Sequence, residues 1–97
     1  MSSNIGTRPV DWNRYGMVYA GVQKNIGPAG STVAIIREDL ISKPMEKTPI
    51  LCDWDIFNRA PQTFFNTPSC YSIYVCGLNL EHMIKQGGVE YYEQFAK

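Results

Sequence analysis

The stretch Tyr19-Ala20-Gly21-Val22-Gln23-Lys24-Asn25-Ile26-Gly27-Pro28-Ala29-Gly30 decides how this chain is read, because one lysine closes an apolar strand and opens a glycine-rich turn. A lysine so placed can act as a nucleophile. Burial disfavours its ammonium form and brings the pKa down from about 10.4, so a neutral amine able to form an imine becomes accessible near neutral pH. The ordinary alternative is a strand-end lysine that carries its charge out to water. The stretch alone leaves both open.

Working outward, Gly16-Met17-Val18-Tyr19-Ala20-Gly21-Val22 and Thr32-Val33-Ala34-Ile35-Ile36-Arg37 are continuous apolar runs and predict two buried strands. Nine residues, Gln23 to Ser31, separate them. That is too short for the helical crossover of parallel neighbours, so the pair is expected to be antiparallel with Lys24 where the loop begins. After Glu38-Asp39-Leu40-Ile41, a stretch marked by Pro44, Pro49 and Pro61 reads as a long loop with short extended or helical pieces. Its aromatics Trp54, Phe57, Phe64 and Phe65 are too apolar to leave in water, so part of it is expected to pack against something outside this chain.

Asn66-Thr67-Pro68 then predicts a helix start, with Thr67 as N-cap and Pro68 in the first turn. Tyr71, Tyr74, Val75, Leu78 and Ile84 recur at helical spacing until Gly87-Gly88. A second helix is expected from Val89 to Lys97, where Tyr91, Tyr92 and Phe95 lack the rest of their packing partners. The pattern reads as an α/β piece of one domain spanning residues 1–97, unfinished at both ends.

The 97 residues carry nine basic and nine acidic side chains and are 44% apolar, which fits one soluble globular domain or part of one. Balanced charge without a Lys/Arg cluster argues against nucleic acid or an anionic membrane as partner. Residues 1–9 have neither the basic nor the apolar region of a secretory signal, and no apolar run is long enough to span a bilayer. Cys52, Cys70 and Cys76 lack CxxC spacing, and His82 has no close-spaced ligand partner. Reduced thiols in the cytoplasm are expected, and no metal site.

Two segments could hold an anion. Gly27-Pro28-Ala29-Gly30-Ser31-Thr32 invites a phosphate-loop reading, but the lysine that an ATPase loop needs after its second glycine is absent. A tight turn using glycine dihedrals is the plainer account. At Asn66-Thr67-Pro68, unpaired helix N–H groups would converge beside an amide and a hydroxyl, with ordinary capping as the alternative. An imine-forming lysine and a phosphate-binding helix start are together the two attachments that pyridoxal phosphate requires.

On these residues the chain resembles the phosphoserine aminotransferases, fold-type I enzymes among the class-V aminotransferases. The likeness is carried by Gly21-Val22-Gln23-Lys24-Asn25-Ile26-Gly27-Pro28-Ala29-Gly30, Arg37-Glu38-Asp39-Leu40 and Phe65-Asn66-Thr67-Pro68-Ser69, with Ser2-Ser3 and Arg8-Pro9-Val10-Asp11 before them. It implies the large domain of an aspartate aminotransferase-like fold, here a strand-loop-strand bearing the lysine, a long loop and a C-terminal helix. It implies pyridoxal 5'-phosphate held as an internal aldimine on Lys24, with Gln23 on its phosphate. Asn66 and Thr67 would reach the phosphate of the neighbouring subunit's cofactor in a homodimer. The implied reaction takes L-glutamate and 3-phosphohydroxypyruvate to 2-oxoglutarate and O-phospho-L-serine. The same resemblance puts an aspartate for the pyridine nitrogen immediately before Met1, and the ring-stacking aromatic and substrate arginines in segments outside these residues. Two rivals stand beside it: a catalytically silent fragment acting at most as a dimer-interface or packing element, and a small nucleotide-binding module.

Overall fold

Alternation along β1 (Met17–Gly21) follows from the two faces of a strand. Val18 and Ala20 are buried, Met17 and Tyr19 are open, and the covered face continues to Val22 beyond the strand end. In the computed structural model, which describes residues 1–41, 44–59 and 64–96, β1 pairs with β2 (Thr32–Ile36) in a two-stranded sheet. The Val22 amide donates to the Ser31 carbonyl at 3.1 Å, so the end of β1 meets the start of β2 and the pair is antiparallel. The other edge of β1 is taken by the N-terminal turn, where Ser2 Oγ accepts the Gly21 amide at 2.9 Å and the Met1 amino group donates to the Tyr19 carbonyl at 3.1 Å.

The expectation of two buried strands is corrected. Only one face of β1 is covered, and on β2 Val33 and Ile36 are half-buried while Thr32, Ala34 and Ile35 are exposed. A continuous apolar run is buried on both faces only where something lies on both, and the described residues cover one.

The chain divides into two compact units, Met1–Ile35 with Ser69–Lys97, and Ile36–Pro68. In the first, Val22, Ile26 and Cys76 form the buried cluster, with Ile5, Val33 and Met83 packed against it. Cys76 comes from α2 (Cys70–Lys85). Gly27 permits this approach: a Cβ there would stand 3.2 Å from Cys76 Cβ and 3.3 Å from its Cα. Buried Ser72, one turn earlier on the same face, donates its hydroxyl to the Pro28 carbonyl at 2.9 Å.

Two helix expectations change. The face marked by Tyr71, Tyr74, Leu78 and Ile84 stays exposed. The small residues Ser72 and Cys76 pack instead, because only they let the helix backbone come this close to the glycine turn. The start also moves, with Ser69 rather than Thr67 as the N-cap and the Ile73 amide donating to the Ser69 carbonyl at 3.0 Å. Helical geometry begins where the helix meets the turn: a Cβ on Gly30 would lie 2.7 Å from Ser69 Oγ. Gly87 and Gly88, both at positive φ, then turn the chain into α3 (Gly88–Phe95), on which Tyr91 packs against Tyr92 and Phe95.

The second unit is the long loop with short helical pieces that its prolines predict: 3-10 turns at Glu38–Leu40 and Ile50–Cys52, then α1 (Trp54–Arg59). Asp53 Oδ1 accepts the Asp55 amide at 3.0 Å, and Arg59 pairs with Asp55 one turn back. Arg37 forks onto Asp39 at 2.5 and 3.0 Å, and that carboxylate raises the guanidinium pKa further above its ordinary value. Trp54, Phe57 and Phe65 form an aromatic row, with ring centroids 6.1 and 5.8 Å apart, that remains exposed. Pro61 and Lys97, named in the sequence reading, lie outside the described residues.

Ser72→Ala leaves the Pro28 carbonyl without its donor and is expected to cost about 1–2 kcal/mol, read as a lower urea midpoint at unchanged slope. Thr67→Ala, which would cost about 1 kcal/mol at a true N-cap, is expected to stay within about 0.5 kcal/mol of the parent.

Candidate cofactor-binding site

The backbone around Lys24 is closed by one acceptor. The Val22 carbonyl receives the Ile26 amide at 3.1 Å and the Gly27 amide at 2.9 Å, drawing these residues into a tight turn. Val22 and Ile26, 1% and 2% exposed, occupy the inside of the turn against Cys76. Gln23 and Lys24 lie between them on the outside and are exposed. Gly21 allows the Gln23 side chain to fold back over the strand end, since any Cβ there would overlap the Gln23 amide. Half-buried Asn25 donates Nδ2 to the Ile5 carbonyl at 3.2 Å.

Of the two placements the sequence leaves open for Lys24, the described residues give the outward one. Lys24 stands in the open, and among the described residues it forms no ion pair. The turn places positions 22 and 26 inside, which obliges position 24 to face out. Burial, the premise of the nucleophile argument, is not supplied by the described residues and would have to come from what binds over the turn.

Gln23 and Lys24 are therefore brought together on one turn of the first unit. Asn66 and Thr67 are exposed residues of the second unit, three and two positions ahead of the Ser69 cap rather than at the helix entrance. Sequence reasoning missed Ser2, Asn25 and Ser72, the polar residues that tie the lysine turn to its surroundings. A signal existed for Ser72, which lies four residues before Cys76 on the helix face that packs. Ser2 and Asn25 had only their places inside the quoted motifs. No helix among the described residues is long and apolar enough to cross a membrane.

Residues 1–97 match the family described as Aminotransferase class-V, and the chain belongs to that family. Within it the resemblance is to phosphoserine aminotransferases. The chain is 44% identical over 94 residues to phosphoserine aminotransferase 2, chloroplastic, of Arabidopsis thaliana, covering 97% of this chain and 22% of the relative. It is 46% identical over 94 residues to the phosphoserine aminotransferase of Pseudomonas entomophila, covering 97% of this chain and 26% of that one. Among solved structures, the phosphoserine aminotransferase of Bacillus circulans subsp. alkalophilus superposes with a TM-score of 0.88 at 40% identity, over 98% of this chain and 26% of that chain. The PLP-bound enzyme of Trichomonas vaginalis gives 0.86 at 33% identity, over 98% and 26%. The chain thus spans about a quarter of the length of these relatives, and over that part its α/β fold is theirs.

Ile26→Ala removes a side chain from the inside of the turn and is expected to cost about 2–4 kcal/mol in urea unfolding. Lys24→Ala, on the outside and in no ion pair among the described residues, is expected to stay within about 0.5 kcal/mol.

Proposed function

We propose that residues 1–97 are part of the large, cofactor-binding domain of a phosphoserine aminotransferase, which transfers the amino group of L-glutamate to 3-phosphohydroxypyruvate in L-serine biosynthesis. The products are 2-oxoglutarate and O-phospho-L-serine. One observation carries the reading: a primary amine stands at the apex of a turn whose two ends are buried, with no acid paired to it among the described residues. The donor set fits pyridoxal 5'-phosphate, with the Lys24 amine for its aldehyde and the adjacent Gln23 amide for its phosphate. When bound, that cofactor supplies an electron sink for the carbanion formed at the substrate α-carbon.

Each residue then has a defined task. Lys24 Nζ would hold the cofactor through its aldehyde, and as a free amine it would be the base that takes the proton from the substrate α-carbon. The burial of Val22 and Ile26 anchors the turn that carries Nζ. The Gln23 side-chain amide would donate to the phosphate of the bound cofactor. Asn66 and Thr67, an exposed amide and hydroxyl, are assigned to the cofactor phosphate of the partner subunit in a homodimer. The cytoplasm is the proposed compartment; the Arabidopsis relatives are named as chloroplastic.

A second reading has its own support for the 97 residues taken alone. Among the described residues the largest fully buried side chains are Ile26, Val22 and Ser72, and Trp54, Phe57 and Phe65 stay open. So little buried apolar surface offsets chain entropy poorly. By itself the chain is then catalytically silent, acting at most as a dimer-interface or packing element.

Incubation with pyridoxal phosphate, borohydride reduction and peptide mapping is expected to place the label on Lys24. A label on Lys43, Lys47 or Lys85 in its stead would overturn the assignment. Purified chain free of host enzyme is expected to show little or no glutamate:phosphohydroxypyruvate transamination, and ready turnover would remove the second reading.

A further inference from the structure

Asn25 differs from every other residue of the lysine turn. Gln23 and Lys24 are exposed and Ile26 is buried, whereas Asn25 is half-buried and its Nδ2 crosses to the Ile5 carbonyl at 3.2 Å. Ile5 packs against the Val22, Ile26 and Cys76 cluster, and its own amide donates to the Met1 carbonyl at 3.0 Å. The same N-terminal turn provides Ser2 Oγ, which accepts the Gly21 amide at 2.9 Å. One structural element therefore bonds to both sides of Lys24, at Gly21 three residues before it and at Asn25 one residue after it.

The two grips do different things. Gly21 belongs to β1, whose course the sheet already sets. At Asn25 the backbone has left the sheet, and the turn's own closure runs only through the Val22 carbonyl. That closure and the packing of Ile26 on Cys76 hold the turn from its inside, against α2. The Asn25 bond adds a hold from the N-terminal turn, one residue from Lys24. A reacting amine needs this, because attack requires atoms held within about 3–3.5 Å in the correct direction.

We propose that Asn25 is a positioning residue for Lys24, its side-chain amide locking the lysine turn against the N-terminal turn and so fixing where Nζ stands. The lock rests on the reading of Lys24 as the cofactor lysine for its purpose, but not for its existence. The chemistry also fixes the residue type. A carbonyl only accepts, so position 25 must donate; an asparagine amide does so, and an aspartate does so only when protonated.

That requirement supplies the test, by amide hydrogen exchange on the full 97-residue chain. In the parent, one Asn25 side-chain N–H is expected to be protected from solvent, and free exchange of both would overturn the lock without any variant being made. In Asn25→Asp at neutral pH, the Ile26 and Gly27 amides are expected to exchange about tenfold faster, while α2 amides keep the parent rates. On acidification to about pH 4, where the carboxyl regains a proton and a donor, protection at Ile26 and Gly27 is expected to return. Unchanged protection at neutral pH would overturn the proposal. So would a loss shared equally by α2, or one that acid does not restore. As a second readout, borohydride-trapped pyridoxal phosphate on Lys24, measured against Lys85, is expected to fall several-fold in Asn25→Asp. A parent whose turn responds as described but whose Lys24 takes no label supports the lock and counts against the cofactor assignment alone.

Discussion

The contact of Val22 and Ile26 with Cys76 is the constraint on which the lysine turn depends. Two apolar side chains four residues apart can both go inside only if the backbone between them curls, and the Val22 carbonyl closes that curl by accepting two amides. Burying an aliphatic side chain of this size is worth about 1.5–3 kcal/mol, more than any single polar contact nearby. Gly27 sets the distance, since its missing Cβ lets the turn rest on the backbone of α2. Display of Lys24 is therefore a by-product of packing. The interior takes positions 22 and 26, and the chemistry is carried by what remains outside.

Polar bonds refine what packing decides. The Ser72 hydroxyl bonded to the Pro28 carbonyl joins the lysine segment to α2, and the bonds of Asn25 to Ile5 and of Gly21 to Ser2 join it to the N-terminal turn. Individually such bonds contribute about 0.5–1.5 kcal/mol, too little to build the turn but enough to select one angle for it. The fork between Arg37 and Asp39 belongs to another category. It is short and bidentate, yet both side chains are more than half exposed, so solvent screens it and it orders only its own 3-10 turn.

Legibility in the sequence followed how local each cause was. Nine linking residues dictated antiparallel strands, and Gly87-Gly88 marked the turn between α2 and α3 correctly, because chain length and glycine dihedrals act over a few residues. The prolines likewise revealed the long loop. Burial was misread wherever it depended on what lies across the gap. The run Thr32–Arg37 has the composition of a two-sided strand, yet the described residues cover little of it. Tyr71, Tyr74 and Leu78 look like the packing face of α2, but Ser72 and Cys76 win because close approach rewards small side chains over large ones. Lys24 and Gln23 were legible as a pair, through motif and resemblance. The choice between the two open placements of Lys24 was not legible, since the buried fate of Ile26 is settled by a helix fifty residues away in sequence.

Nuclear Overhauser contacts at the turn test this account most directly. It predicts methyl contacts from Val22 and Ile26 to the Cys76 β-protons, and none from the Lys24 ε-methylene to that cluster. Contacts from the Lys24 methylenes to Cys76, with Val22 or Ile26 turned to solvent, would contradict it.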